Sequence, residues 1–100
     1  MDNKTFEKIL ENRLLEIEAV LSKKAQEYAT EDRLHNFKVA ARVGNTTPKK
    51  ALWGMAMKHL VSVIDIIEGN IVYNEALVEE KLLDMINYLI LLEAILKEKK

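Results

Sequence analysis

Polar side chains crowd into one segment of the chain, from Lys23 to Lys38, which reads KKAQEYATEDRLHNFK. Cations, carboxylates, an aromatic ring, a histidine and an amide alternate there, a density that a connector between helices does not need. Because charged donors make short, strong hydrogen bonds to phosphate oxygens, this segment indicates one wall of an anion site. The residue types alone do not name the ligand.

The predicted ligand-binding residues join this segment to polar side chains that interrupt later apolar runs. Lysine, arginine and histidine would contact phosphates, and a tyrosine would lie against a base. Asn87 stands in an almost wholly apolar run, so its amide requires a partner. The predicted ligand-binding residues are Lys24, Tyr28, Arg33, His35, Asn36, Lys58, His59, Asn87 and Tyr88.

A magnesium site is the second chemistry that the polar residues could support. Mg²⁺ prefers oxygen ligands, and one or two carboxylates together with substrate phosphates are enough to bind it. Glu80 and Asp84 are one helical turn apart and could form such a pair. The candidate metal ligands are Glu27, Asp65, Glu80 and Asp84. A zinc site is not expected, because there is no cysteine and no HExxH spacing joins His35 and His59.

Composition predicts one small soluble domain spanning residues 1–100. The chain is 49% hydrophobic and 31% charged, with three glycines and one proline, which favours helices with few breaks. The absence of cysteine fits a reducing, cytoplasmic setting. We expect no signal peptide and no membrane association, because no apolar run approaches the roughly 20 residues that a membrane span needs.

Charge is unevenly distributed along the chain. Residues 23–59 carry eight basic and three acidic side chains, although the whole chain has a net charge of −1. A local excess of cations attracts a small anion such as a nucleotide. Nucleic-acid binding is not expected, since proteins that bind duplexes are usually basic overall.

Hydrophobic periodicity predicts an all-α protein, a compact bundle of three long helices and one short helix. The predicted helices cover residues 4–28, 33–43, 48–68 and 75–97, with Thr47, Pro48 and Gly69 as boundary signals. Two of the long helices are apolar on more than one face. A chain of this size cannot cover that much apolar surface by itself. We therefore expect a homo-oligomer, most simply a two-fold dimer.

Three stretches of the chain resemble a group of small phage and prophage proteins. They are KKAQEYATEDRLHNFKVAA, ALWGMAMKHLVSVIDIIEG and EEKLLDMINYLILLEAIL, within about residues 14–96. Those proteins are similar to the nucleotide-modification-associated domain, and more distantly to the all-α NTP pyrophosphatases of the MazG and dimeric dUTPase type. The resemblance implies an oligomeric, nucleotide-handling protein located in the cytoplasm of the host cell.

The resemblance also implies how the two chemistries divide. In the pyrophosphatases an ExxE and a later ExxD hold Mg²⁺. Here Glu80 and Asp84 have ExxxD spacing, and the earlier helix offers Lys23, Lys24 and a single acid, Glu27. This replacement favours capture of a nucleotide-like small molecule, such as a defence messenger, without a cofactor. The alternatives are a Mg²⁺-dependent nucleotide pyrophosphohydrolase and a structural or host-protein-binding module.

Overall fold

Helix α3, from Pro48 to Glu68, forms the centre of the larger of two compact units. The structure is a computed structural model that describes residues 1–27 and 32–98, with side chains described for 1–23 and 32–98. The units are residues 1–31 and 32–100. All regular structure in the described residues is helical, so the predicted all-α class is confirmed.

The first unit contains helix α1, Asn3–Glu27. Asp2 caps this helix, since its Oδ1 accepts a hydrogen bond from the Thr5 amide at 2.8 Å. This contact with Thr5 lowers the pKa of the Asp2 carboxyl. On the surface of α1, Phe6 and Leu14 remain exposed, and Arg13 lies 3.6 Å from the Glu16 carboxylate.

The second unit contains α2 (His35–Val43), α3 and α4 (Glu75–Lys97). Both α2 and α4 pack against α3. Its core is built from buried Leu34, Phe37 and Leu52. Partly buried side chains pack around that core, namely Met55, Tyr88, Leu91, Leu92 and Ile95. No described helix is long and apolar enough to cross a membrane.

The predicted ends of α3 are confirmed, and each has a local cause. Thr47 has an extended backbone before Pro48, whose fixed φ and missing N–H suit a first helical position. Gly69 has a φ of +74°, a left-handed conformation that favours glycine, and its amide donates to the carbonyl of Ile66 at 3.2 Å. Thr47 makes no hydrogen bond through its side chain, so its predicted capping role is only positional.

Helix α2 begins two residues later than the sequence predicts, and it ends at Val43, as predicted. The helix was predicted from Arg33 but begins at His35. Asp32 forms a turn before it, because Asp32 Oδ1 accepts the Leu34 amide at 3.0 Å and its carbonyl accepts the His35 amide at 3.1 Å. After the helix, the left-handed residue is Asn45, with φ +52°, whereas Gly44 has φ −87°.

Helix α4 begins as its sequence predicts. The Asn74 side chain caps it, with Oδ1 accepting the Leu77 amide at 3.1 Å. The helix runs antiparallel to α3 after the short connection 69–74, so its first half lies beside the second half of α3. This arrangement places polar residues of the two helices next to one another.

Candidate functional site

The clearest meeting of predicted site residues is between α3 and α4. His59 Nδ1 lies 3.5 Å from Asp84 Oδ2, with side chains 17% and 34% exposed. The rings of His59 and Tyr88 are 5.0 Å apart and tilted by 32°. We call His59, Asp84 and Tyr88 the α3–α4 cluster. It joins two predicted ligand-binding residues to a predicted metal ligand.

The cluster orients one imidazole from two sides. The Asp84 carboxylate faces Nδ1, while Tyr88 packs against the ring itself. Tyr88 also packs against the hydrophobic core, so its ring has a fixed support. Within the described part of the chain, His59 Nε2 makes no hydrogen bond, which makes this nitrogen the natural donor to an anion.

Asn87 adds a buried amide beside the cluster. It follows Asp84 by three positions, so the two side chains are neighbours on α4. Asn87 is only 8% exposed, and its Oδ1 has no hydrogen-bond partner among the described side chains. An unsatisfied buried oxygen costs stability, which is tolerated more readily where a group serves binding.

A small cavity lies one turn along from the cluster. It measures about 140 Å³ and is lined by Ser62, Asp65, Ile71, Leu77 and Lys81. Ser62 follows His59 by three positions, and Lys81 precedes Asp84 by three. The cavity and the cluster therefore lie next to each other along the interface between α3 and α4. Ligand sites for whole small molecules are usually 300–1,000 Å³, so this cavity fits a phosphoryl group and not a complete nucleotide.

Lys81 was not among the predicted site residues, although a signal for it exists. It stands on the same α4 face as Asp84, and its ammonium is the cation nearest in sequence to that carboxylate. Lys58 and Asp65, both on α3, form no ion pair with each other. Lys58 is exposed, while Asp65 Oδ1 accepts a 3.4 Å hydrogen bond from Asn70 Nδ2.

The remaining predicted ligand-binding residues are placed elsewhere or lie outside the described part. His35 and Asn36 are exposed at the beginning of α2, and Arg33 is half-buried just before it. Tyr28, together with the side chains of Lys24 and Glu27, lies outside the described residues.

The predicted metal ligands are only partly brought together. Asp84 faces His59, Asp65 lines the small cavity, and Glu80 is exposed one turn before Asp84. Among the described side chains, no group of three or more His, Asp or Glu residues is arranged to hold a metal ion. The described donors therefore do not make a complete magnesium site.

A second polar contact, which the sequence did not predict, joins α2 to the end of α4. Lys38 Nζ donates to Asp32 Oδ2 at 2.7 Å and to Glu98 Oε2 at 2.9 Å. The Lys38 hydrogen bond, helped by the Leu34 amide, lowers the pKa of Asp32. The Asp32 and Glu98 carboxylates raise the pKa of Lys38. We call these three residues the Lys38 clamp.

The Lys38 clamp borders another cavity in the second unit. That cavity measures about 270 Å³ and is lined mainly by Leu34, Pro48, Ile95 and Leu96, with Lys38, Thr47, Lys49 and Glu98 at its polar side. Lys38 is already neutralised by two carboxylates. This cavity is therefore less suited to a phosphate than the strip around His59.

Comparison with protein-family models, curated proteins and solved structures gives no match to this chain.

Proposed function

We propose that this protein binds a nucleotide or nucleotide-derived signal without converting it, as a homo-oligomer. The observation that carries the proposal is the His59–Asp84 contact of 3.5 Å, supported by the Tyr88 ring at 5.0 Å. An imidazole held between a carboxylate and an aromatic ring is a pre-oriented donor for a phosphate. Pre-orientation lowers the entropy cost of binding.

Three further features support an anionic, nucleotide-like ligand. Lys81 contributes a cation at the small cavity, which is of phosphoryl size. Residues 23–59 carry a local excess of positive charge. The buried Asn87 oxygen, which no described residue contacts as a donor, suits a ligand that carries an N–H group.

The resemblance to small phage proteins gives the proposal a biological setting. A phage protein that captures a nucleotide messenger would act by lowering the free concentration of that messenger in the host cytoplasm. Capture requires affinity and abundance but no reaction. The side chains of the α3–α4 cluster would serve that role by holding phosphate.

The alternative is a Mg²⁺-dependent nucleotide pyrophosphohydrolase using Glu27, Asp65, Glu80 and Asp84. We derive no catalytic step for it, because the described donors do not complete a metal site. A role as a structural or host-protein-binding module is the other alternative. Nucleotide binding and product analysis separate all three.

The direct test of the proposal is calorimetric titration of nucleotides, including cyclic dinucleotides, into wild-type protein and His59→Gln. Loss of a charged hydrogen bond costs about 1.5–3 kcal/mol, so we expect the affinity to fall by roughly 10- to 100-fold. His35→Gln is the matched control, because His35 is exposed and outside the cluster. Equal losses in the two variants would place the ligand elsewhere.

A further inference from the structure

An exposed row of residues on α3 has a pattern that is complementary to itself. Its members recur at alternating steps of four and three positions, the spacing of a coiled-coil seam. We call this row the outer seam of α3. It consists of Lys50, Gly54, Met57, Val61, Ile64 and Glu68, all of them exposed. The seam lies opposite the face that carries buried Leu52 and Ala56.

The centre of the outer seam exposes a large, continuous apolar area to solvent. Met57 is 39% exposed, Val61 49% and Ile64 42%, and next to the seam Trp53 is 42% exposed. Contiguous apolar patches of this kind usually mark an interaction surface. Isolated exposed apolar residues would need no explanation, but a continuous helical row does.

The charges at the two ends of the seam are opposite and matched. Lys50 stands at the beginning of α3 and Glu68 at its end, about 27 Å apart at about 1.5 Å of rise per residue. Neither forms an ion pair with another described residue. If a second α3 packs against the first in the antiparallel direction, each Lys50 meets the Glu68 of the other copy.

The residues between Lys50 and Glu68 also match one another in an antiparallel pairing. An antiparallel pairing centred at the level of His59 brings Gly54 to the level of Ile64, and Met57 to the level of Val61. Gly54 has open space around it, with no atom within 4 Å of where a Cβ would be. Glycine in a helix interior costs about 1 kcal/mol of stability relative to alanine. Close packing of Ile64 from another copy accounts for a glycine at this position.

We infer that the outer seam of α3 is a two-fold interface with a second copy of this chain, formed by antiparallel packing of the two α3 helices. A parallel pairing would set Lys50 against Lys50, Glu68 against Glu68 and one open Gly54 against the other. The antiparallel pairing instead sets Lys50 against Glu68 at both ends and Gly54 against Ile64 between them. This inference supplies the contact for the homo-oligomer of the proposed function, on which it rests.

The test measures the mass of the ligand-free protein by sedimentation equilibrium. Wild-type protein should contain at least two chains of 11.5 kDa per particle. Val61→Glu places two charges near the two-fold axis and should reduce the assembly at least tenfold in association constant. Val72→Glu is the matched control, since Val72 is 90% exposed in the connection before α4, and should leave the mass unchanged.

Charge reversal supplies the second arm and guards against a variant that merely misfolds. Lys50→Glu and Glu68→Lys should each weaken association, whereas the double variant should recover it, because the pair is restored in the opposite sense. A wild-type monomer, an unchanged mass for Val61→Glu, or a double variant no better than the singles would overturn the inference. Nucleotide binding measured on the same variants shows separately whether the proposed function holds.

Discussion

His59 on α3 and Asp84 on α4 face each other across 3.5 Å, and this contact joins the two long helices of the second unit by a polar bridge. The sequence assigned these residues to different chemistries, phosphate contact for His59 and metal binding for Asp84. In the structure the carboxylate is directed at the imidazole. A histidine held in this way is suited to binding an anion.

Tyr88 should stabilise the fold and also position His59. Replacing it with leucine keeps an apolar side chain against the core but removes the ring beside the imidazole. We expect Tyr88→Leu to lower the free energy of unfolding by about 1–3 kcal/mol, measured by urea denaturation. Tyr73→Leu is the control, because Tyr73 is 74% exposed, and a loss as large there would contradict this account.

Asn87 should oppose stability and favour binding. Its buried Oδ1 has no partner in the described part of the chain, so Asn87→Leu removes the cost of an unsatisfied oxygen and adds apolar volume. We expect the free energy of unfolding to stay constant or to rise by about 1 kcal/mol, while nucleotide affinity falls. A strongly destabilised variant would show that the amide has a structural role.

The Lys38 clamp should make stability depend on pH at both ends of the range. Because the folded-state pKa of Asp32 is lowered, its contribution is present above the unfolded pKa of about 4 and is lost as pH falls through the folded value. The pKa of Lys38 is raised, so its contribution is present below about pH 10 and is lost as pH rises through the folded value.

Lys38→Met tests the clamp. It should remove the dependence at high pH, weaken the one at low pH, where the Leu34 amide still contacts Asp32, and reduce stability near neutral pH, as followed by thermal melts from pH 3 to 11. Lys97→Met is the matched control, since the Lys97–Glu93 pair is exposed and 3.5 Å long. If both variants show the same pH profile, the clamp contributes nothing to folding.

Gly69 should be required by its backbone conformation alone. Its φ of +74° is left-handed, yet an added Cβ would meet no atom within 4 Å. Gly69→Ala should therefore lower the free energy of unfolding by about 1 kcal/mol or more through strain. Gly69→Asn should cost less, because asparagine tolerates this conformation. Equal losses would indicate a cause other than the backbone.

Local signals in the sequence were sufficient for much of the second unit. Pro48 and Gly69 fix the ends of α3, and Asn74 caps α4, because each acts on backbone within a few residues of itself. The same reasoning could not find the Lys38–Glu98 contact, whose partners are separated by 60 positions. Such contacts depend on how α2 and α4 pack, which periodicity does not specify.

The site shows the same division between local and distant information. Helical spacing placed Asp84 and Asn87 on one strip of α4, and Ser62 and Asp65 on one strip of α3. It could not decide whether Asp84 would face a metal ion or His59. The antiparallel packing of α3 and α4 places Asp84 against His59. It also places Lys81, which no motif had indicated, at the small cavity.

Recovery of the bound ligand after incubation tests the central claim most directly. Wild-type protein and His59→Gln are incubated with a panel of nucleoside triphosphates and cyclic dinucleotides, with and without Mg²⁺, then separated from free ligand, heat-denatured and analysed by chromatography. The account predicts that wild-type protein releases an intact nucleotide and that His59→Gln releases little or none. A pyrophosphate or monophosphate product, or equal recovery from both proteins, would contradict it.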